Sequence, residues 1–152
     1  MSFNKLTWGV KASFRAYVEA AGGSITLSDG ATRAADGTFV FMAEPGGDLA
    51  IAPDGSATGA MRFQGTVIFE AHGGMLKSTL AELGVEASEN GLVVTVLDGP
   101  MNKGRCAVAE LGPVHGDAGD GMTITSKITM DGLYQIADSY PPGTELDPVL
   151  LS

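Results

Sequence analysis

The sequence predicts a mostly β protein: an antiparallel β-sandwich or barrel-like sheet with a short N-terminal helix and a short C-terminal helix. Three observations carry this. Gly supplies 22 of the 152 residues, and many follow Asp or Asn. Asp29-Gly30, Asp36-Gly37, Asp54-Gly55, Asn90-Gly91, Asp98-Gly99 and Asp120-Gly121 read as turns, because Gly takes positive φ at little steric cost. Between the turns lie short runs alternating apolar and polar residues, the pattern of a strand with one buried and one wet face. Their regular spacing leaves no room for the crossover helices of a parallel sheet.

The first element in chain order is helical. Between Trp8 and Val18, the residues Val10, Phe14, Tyr17 and Val18 fall at i, i+4, i+7 and i+8, with Lys11 and Arg15 near the edges and Gly22-Gly23 as a stop. Strands are predicted over Ser24 to Ser28, Thr38 to Ala43 and Leu49 to Ala52. The clearest runs from Met61 to Glu70, where Met61, Phe63, Val67 and Phe69 alternate with Arg62, Gln64, Thr66 and Glu70. Further strands are predicted over Leu76 to Val85, Leu92 to Leu97, Arg105 to Leu111 and Met122 to Lys127. Leu133, Ile136, Ala137 and Tyr140 then return to helical spacing behind Thr129 as a cap, and Pro141-Pro142 forbids continuation. No repeat, linker or low-complexity stretch divides the chain, so residues 1–152 read as a single domain.

Composition narrows the function. Eighteen acidic side chains against nine basic ones leave a net charge of −9. Such a surface repels nucleic-acid phosphates and anionic membranes. No stretch approaches the roughly 20 apolar residues of a membrane span. Met1-Ser2-Phe3-Asn4-Lys5-Leu6 has none of the pattern of a secretory signal, so the expected location is cytoplasmic as the sequence stands, and extracellular or at the cell surface if a leader has been removed. Cys106 is the only cysteine, which rules out an internal disulfide and a cysteine-paired zinc site.

The sequence contains no phosphate-cradling loop, no dinucleotide-binding glycine fingerprint and no nucleophile elbow. It offers two histidines. His115 lies in the acidic, glycine-rich segment Gly112 to Gly121; Asp117 and Asp120 there do not follow the calcium-loop spacing, and the segment reads as a solvated hairpin loop. His72 follows the clearest strand, in Ala71-His72-Gly73-Gly74. The two glycines leave backbone space beside the imidazole, which suits a bulky flat ligand, but the same pattern describes an ordinary turn. Tyr17, on the apolar face of the first helix, is open in the same way between a core residue and a ligand.

Three segments carry a family resemblance. Leu6-Thr7-Trp8-Gly9-Val10-Lys11 with Ser13-Phe14-Arg15-Ala16-Tyr17-Val18 resembles the opening of HtaA-type haem-binding domains. Gly65 to Leu76 is similar to their central strand and histidine turn. Ile128-Thr129-Met130-Asp131-Gly132, Tyr140 and Gly143 to Val149 are similar to their closing segment. The resemblance spans nearly the whole chain. It implies a β-rich fold and non-covalent binding of haem, as ferric haem b, with Tyr17 as the axial iron ligand and His72 hydrogen-bonded to it. Family members in haem uptake are exported and often membrane-tethered, whereas this sequence opens directly on the domain.

The implied chemistry is consistent. A phenolate is a hard anionic oxygen and an accepted axial ligand of haem iron. An ordinary phenol titrates near pH ~10, so ionising one at neutrality costs about 4 kcal/mol; iron offsets this by displacing the proton, and an imidazole hydrogen bond steadies the anion. Phe14, Val18, Phe39, Phe41, Met42, Met61, Phe63, Phe69 and Met75 are candidates for an apolar slot, and Phe14, Arg15, Phe69 and Met75 are expected to contact the cofactor alongside Tyr17 and His72. Arg15, Lys11 and Lys77 are the candidate cations for the propionates. The expected function is haem transfer, uptake or intracellular buffering, without catalysis, in exchange with another haem carrier or transporter, by a monomer or homodimer. Two other readings compete: a haem-free β module for protein interaction, in which Tyr17 and His72 are packing and turn residues, and a haem-dependent peroxidase or haem-degrading enzyme with His115 as its distal group.

Overall fold

The computed structural model describes residues 3–52, 56–89, 91–97, 104–112, 121–136 and 140–152. The chain opens with β1 (Lys5–Trp8), α1 (Ala12–Ala20), β2 (Ser24–Ser28), β3 (Thr32–Arg33) and β4 (Phe39–Met42). Next come β5 (Ala50–Ile51), β6 (Ala57–Thr58), β7 (Ala60–Arg62) and β8 (Thr66–Ala71). A single 3-10 turn (His72–Gly74) leads into β9 (Leu76–Ala81), β10 (Gly84–Ser88), β11 (Gly91–Leu97), β12 (Arg105–Leu111) and β13 (Met122–Ile128). The chain closes with α2 (Met130–Gln135) and β14 (Glu145–Leu151).

The strands form a long antiparallel sheet in the order β3-β4-β1-β14-β13-β12-β11-β10-β7 and a three-stranded antiparallel sheet β2-β8-β9, with β5 and β6 as a small hairpin. The ends of the long sheet approach at the bridge Ala43↔Phe63, where Gln64 N–H donates to Met42 O and Glu44 N–H to Arg62 O. One bridge is not a ladder, so the sheet curls into a sandwich-like body without closing as a barrel. The core lies between this sheet and the small one. Phe69 of β8 is fully buried, with its ring centroid 4.9 Å from that of Phe14 on α1 and 5.8 Å from that of Phe39 on β4. One aromatic cluster thus ties together the helix and both sheets.

The mostly β class, the antiparallel pairing and the two helices are as the sequence predicts; several boundaries are not. The run from Met61 to Glu70 is two strands in different sheets. Its corner is Gly65, at φ +127°, where a side chain would run into Ala31 and Phe41. Phe63, Val67 and Phe69 stay buried across that corner, so the alternation conceals the break. The run from Leu76 to Val85 also divides, at Glu82 with φ +51°. Trp8, predicted helical, is the last residue of β1, and its indole N–H reaches Asp147 O at 2.9 Å. Val10 follows at φ +64°, and the helix starts only at Ala12.

β14 is unpredicted because it contains Pro148. The ladder with β13 passes from Ile124↔Val149 to Ser126↔Leu146 across a register shift, so the proline falls where no ladder donor is needed. Thr129 caps α2 as predicted, its Oγ1 accepting the Gly132 N–H at 2.9 Å, but the helix ends at Gln135, before Tyr140. Ala137, His115, Asn90, Asp120, Asp54-Gly55 and Asp98-Gly99 lie outside the described residues.

Phe69→Ala should remove about 3–5 kcal/mol of stability, since the residue is fully buried where helix and sheets meet. Urea melts followed by far-UV circular dichroism check this; a loss under about 1 kcal/mol is incompatible with a central role for the ring.

Candidate functional site

α1 has the composition of a helix, with three alanines in Ala12-Ser13-Phe14-Arg15-Ala16-Tyr17-Val18-Glu19-Ala20. It buries Phe14 and Val18 and leaves Ala12, Ser13, Ala16, Tyr17 and Ala20 exposed on the opposite face. Its end is a Schellman cap: Gly22 N–H donates to Glu19 O at 3.1 Å and Gly23 N–H to Val18 O at 2.9 Å, with Gly22 at φ +74°. Gly23 then passes so close to β8 that a β-carbon would overlap Glu70 O. The chain turns straight into β2, which pairs with β8 from Ser24↔Glu70 onward. The last turns of α1 are thereby fixed beside the end of β8.

His72 stands at that end, in the loop between Ala71 and Leu76, which face each other across the β8–β9 ladder. His72, Gly73 and Gly74 have φ of +55°, +66° and +94°. Glycine takes the left-handed region freely; a histidine there costs about 1–2 kcal/mol. This backbone aims the imidazole back at the helix. Tyr17 Oη and His72 Nε2 are 2.5 Å apart, with ring centroids 5.7 Å apart and the rings tilted by 53°. Such a pair shares one proton-bearing contact, with the phenol donating to a bare Nε2 or Nε2–H donating to a phenolate.

Tyr17 is 46% exposed and His72 is exposed, so the pair is open to solvent rather than enclosed in a slit. This corrects the expected place of Tyr17 on the apolar face: the helix begins later than the spacing implied, and Phe14 and Val18 take the core. Beside the pair lies an open depression of about 270 Å³, bounded by Ala21 to Ser24 and by Glu70 to Gly74. A β-carbon at Gly22, Gly73 or Gly74 would meet nothing within 4 Å.

The other singled-out residues are distributed around this centre. Phe14 and Phe69 are buried directly beneath α1, and Met75 is 92% exposed just past the histidine turn. Val18, Phe39, Phe41 and Phe63 are in the core, while Met42 is half exposed on β4. Arg15 Nη1 donates to Asp147 Oδ2 at 2.6 Å and to Gly9 O at 2.7 Å. Lys11 Nζ donates to Glu145 O at 2.8 Å, and Lys77 Nζ lies 3.7 Å from Glu70. The sequence reading passed over Ser13, whose Oγ lies 3.5 Å from Tyr140 Oη one turn before Tyr17; starting the helical period at Ala12 places Ser13 and Tyr17 on one face. Among the described residues no group of three His, Cys, Asp or Glu side chains could hold a metal ion, and no helix is long and apolar enough to cross a membrane.

Fold and site together define a small, curled antiparallel β domain that presents a tyrosine–imidazole pair at its surface. The chain belongs to the HtaA family, whose model, described as Htaa, matches residues 4–152. Three solved structures from Corynebacterium glutamicum are similar to it. The N-terminal domain of HtaA superposes with a TM-score of 0.76 at 23% identity, covering 99% of this chain and 97% of that one. The C-terminal domain of HtaA gives 0.68 at 28% identity, covering 99% and 98%. The haem-binding protein HtaB gives 0.70 at 17% identity, covering 98% and 91%. No curated protein matches the chain.

Gly23→Ala should cost about 1–3 kcal/mol, the usual range for overpacking, because the new methyl group must push Glu70 or the end of α1 aside. A thermal melt checks this. A stability equal to that of the parent protein would show that the approach of β2 to β8 is not tight.

Proposed function

We propose that the domain binds haem non-covalently, as ferric haem b, with the Tyr17 phenolate as the axial ligand and His72 as its hydrogen-bond partner. The 2.5 Å contact between Tyr17 Oη and His72 Nε2, on an exposed face, carries this reading. A tyrosine and a histidine 55 positions apart meet at the surface, whereas a core tyrosine would be sealed in, and the hydroxyl remains accessible to an incoming metal. The residues fit the group in kind. The phenol oxygen is a hard donor suited to ferric iron, and the imidazole is already placed to hold the anion.

The surroundings suit a flat macrocycle. The exposed residues nearest Tyr17 on α1 are small, and the glycines around His72 present bare backbone. Met75 adds adaptable apolar surface at the same turn. Haem, when bound, would supply a ferric centre that accepts a hard oxygen donor; the protein's part would be to hold the phenol of Tyr17, steady its charge through His72 and keep the face open. Of the three expected propionate partners, Lys77 is the least engaged, being 59% exposed at the side chain with its carboxylate 3.7 Å away. An open site favours handing haem to and from another carrier or transporter, or buffering it, over chemistry that needs a closed distal pocket.

Hemin titration of the purified protein should give a Soret band that Tyr17→Ala abolishes. His72→Ala should weaken binding by about 10- to 100-fold, as loss of an outer-shell partner does. Identical hemin spectra for the parent and both variants would sink the assignment. Ala20→Trp, on the exposed face of α1 three residues beyond Tyr17, should block haem while leaving the melting temperature within a few degrees; undiminished binding would move the macrocycle off this face.

A further inference from the structure

α1 lacks the usual means of starting a helix. Lys11 occupies the N-cap position, contributes no side-chain cap, and no acidic residue follows in the first turn. The missing acceptor comes from the far end of the chain. Asp147 on β14 accepts the Ala12 N–H with Oδ1 at 3.0 Å, and its Oδ2 takes Arg15 Nη1 at 2.6 Å. One carboxylate thus satisfies a free backbone donor at the positive end of the helix and pins a side chain one turn in.

The rest of Asp147 is committed to the same junction. Its N–H donates to Val10 O at 2.8 Å, and its carbonyl accepts the Trp8 indole N–H at 2.9 Å and the Ser126 hydroxyl at 2.6 Å. Val10 is a β-branched residue at φ +64°, a conformation that persists only when its surroundings hold it. Gly9 is the complementary cut-out: a β-carbon there would overlap Arg15 Nη1 and lie 2.6 Å from Asp147 Oδ2. The ion pair is largely shielded, at 11% and 23% side-chain exposure. The pair at the other end of the helix, Arg33 with Glu19, is at 36% and 53% and so worth little.

We propose that Asp147 is a positioning residue for the iron ligand: through Arg15 and the Ala12 N–H it sets the seat of α1, so that Tyr17 Oη meets His72 Nε2. Its consequence for haem rests on the function proposed above; its consequence for the tyrosine–histidine contact does not. Arg15 thereby acts through the helix, with its guanidinium already held on the side of α1 away from Tyr17.

The test compares the parent protein with Asp147→Asn, Asp147→Ala and Gly9→Ala, in the haem-free state and with hemin. Nitrogen-15 NMR of the imidazoles reads the Tyr17–His72 hydrogen bond directly; with only two histidines in the chain, a His72→Gln control assigns the signal. Asparagine keeps an acceptor for Ala12 but loses the ion pair, so the hydrogen-bonded His72 signal should weaken in Asp147→Asn and Gly9→Ala and vanish in Asp147→Ala. Amide signals of β12 and β13 should hold in each. Hemin affinity should fall by about tenfold or more in Asp147→Ala, with loss of the tyrosinate charge-transfer band in the folded protein. Should Asp147→Ala fail to fold, Asp147→Asn and Gly9→Ala decide the matter. An unchanged His72 signal in the folded variants overturns the proposal, even if melting temperatures drop. If the parent protein and Tyr17→Phe give the same hemin spectrum, the haem reading falls, and the imidazole signal alone judges the positioning role.

Discussion

A nine-residue helix is too short to persist in water by itself, so everything that depends on α1 depends on what it is packed against. Phe14 and Val18 bury against the small sheet, with the Phe14 ring 4.9 Å from Phe69. Gly23 then lets the chain pass over the backbone of Glu70 without a side chain in the way. Hydrophobic burial supplies the attraction, and the missing β-carbon permits the distance. With α1 held there, Tyr17 is carried to the end of β8; a helix displaced by one side-chain radius would leave its hydroxyl out of reach of His72.

The same arrangement explains why a polar contact so short is found at the surface. Buried, a phenol and an imidazole would need every donor and acceptor matched. Exposed, they need only each other and solvent, and the hydroxyl stays accessible. The strain lies in the backbone instead, at His72 in the left-handed region just before two glycines that adopt it freely. Local stability is traded for direction.

Charge is arranged economically in this acidic protein. Arg15 is held by Asp147, Arg33 by Glu19, and Arg105 by Thr95 and the carbonyl of Glu82, so these guanidiniums are committed to the architecture. Burial lowers the affinity of Arg105 for its proton, with neighbouring Arg62 adding to the effect. Lys77 is less tightly held, 3.7 Å from Glu70 beside the histidine turn, on the strand paired with β8.

The sequence by itself determined the class of the protein. Alternation of apolar and polar residues is a local consequence of strand geometry, so Ser24–Ser28 and Arg105–Leu111 were legible to the residue, and β4, β5, β11 and β13 to within two residues at either end. Turn glycines and the Thr129 cap are local in the same sense. Which sheet a strand joins is not local. Met61 to Glu70 keeps its alternation through the corner at Gly65, and Pro148 reads as a strand breaker until its bulge opposite β13 is seen. The site divides along the same line. Tyr17 and His72 could be singled out by family resemblance, but residues 55 apart are brought to 2.5 Å only by packing. The exposure of Tyr17, the core position of Phe14 and Phe69, and the hold of Asp147 on the start of α1 are likewise products of the fold. Each depends on contacts between segments whose separation along the chain carries no trace of their distance in space.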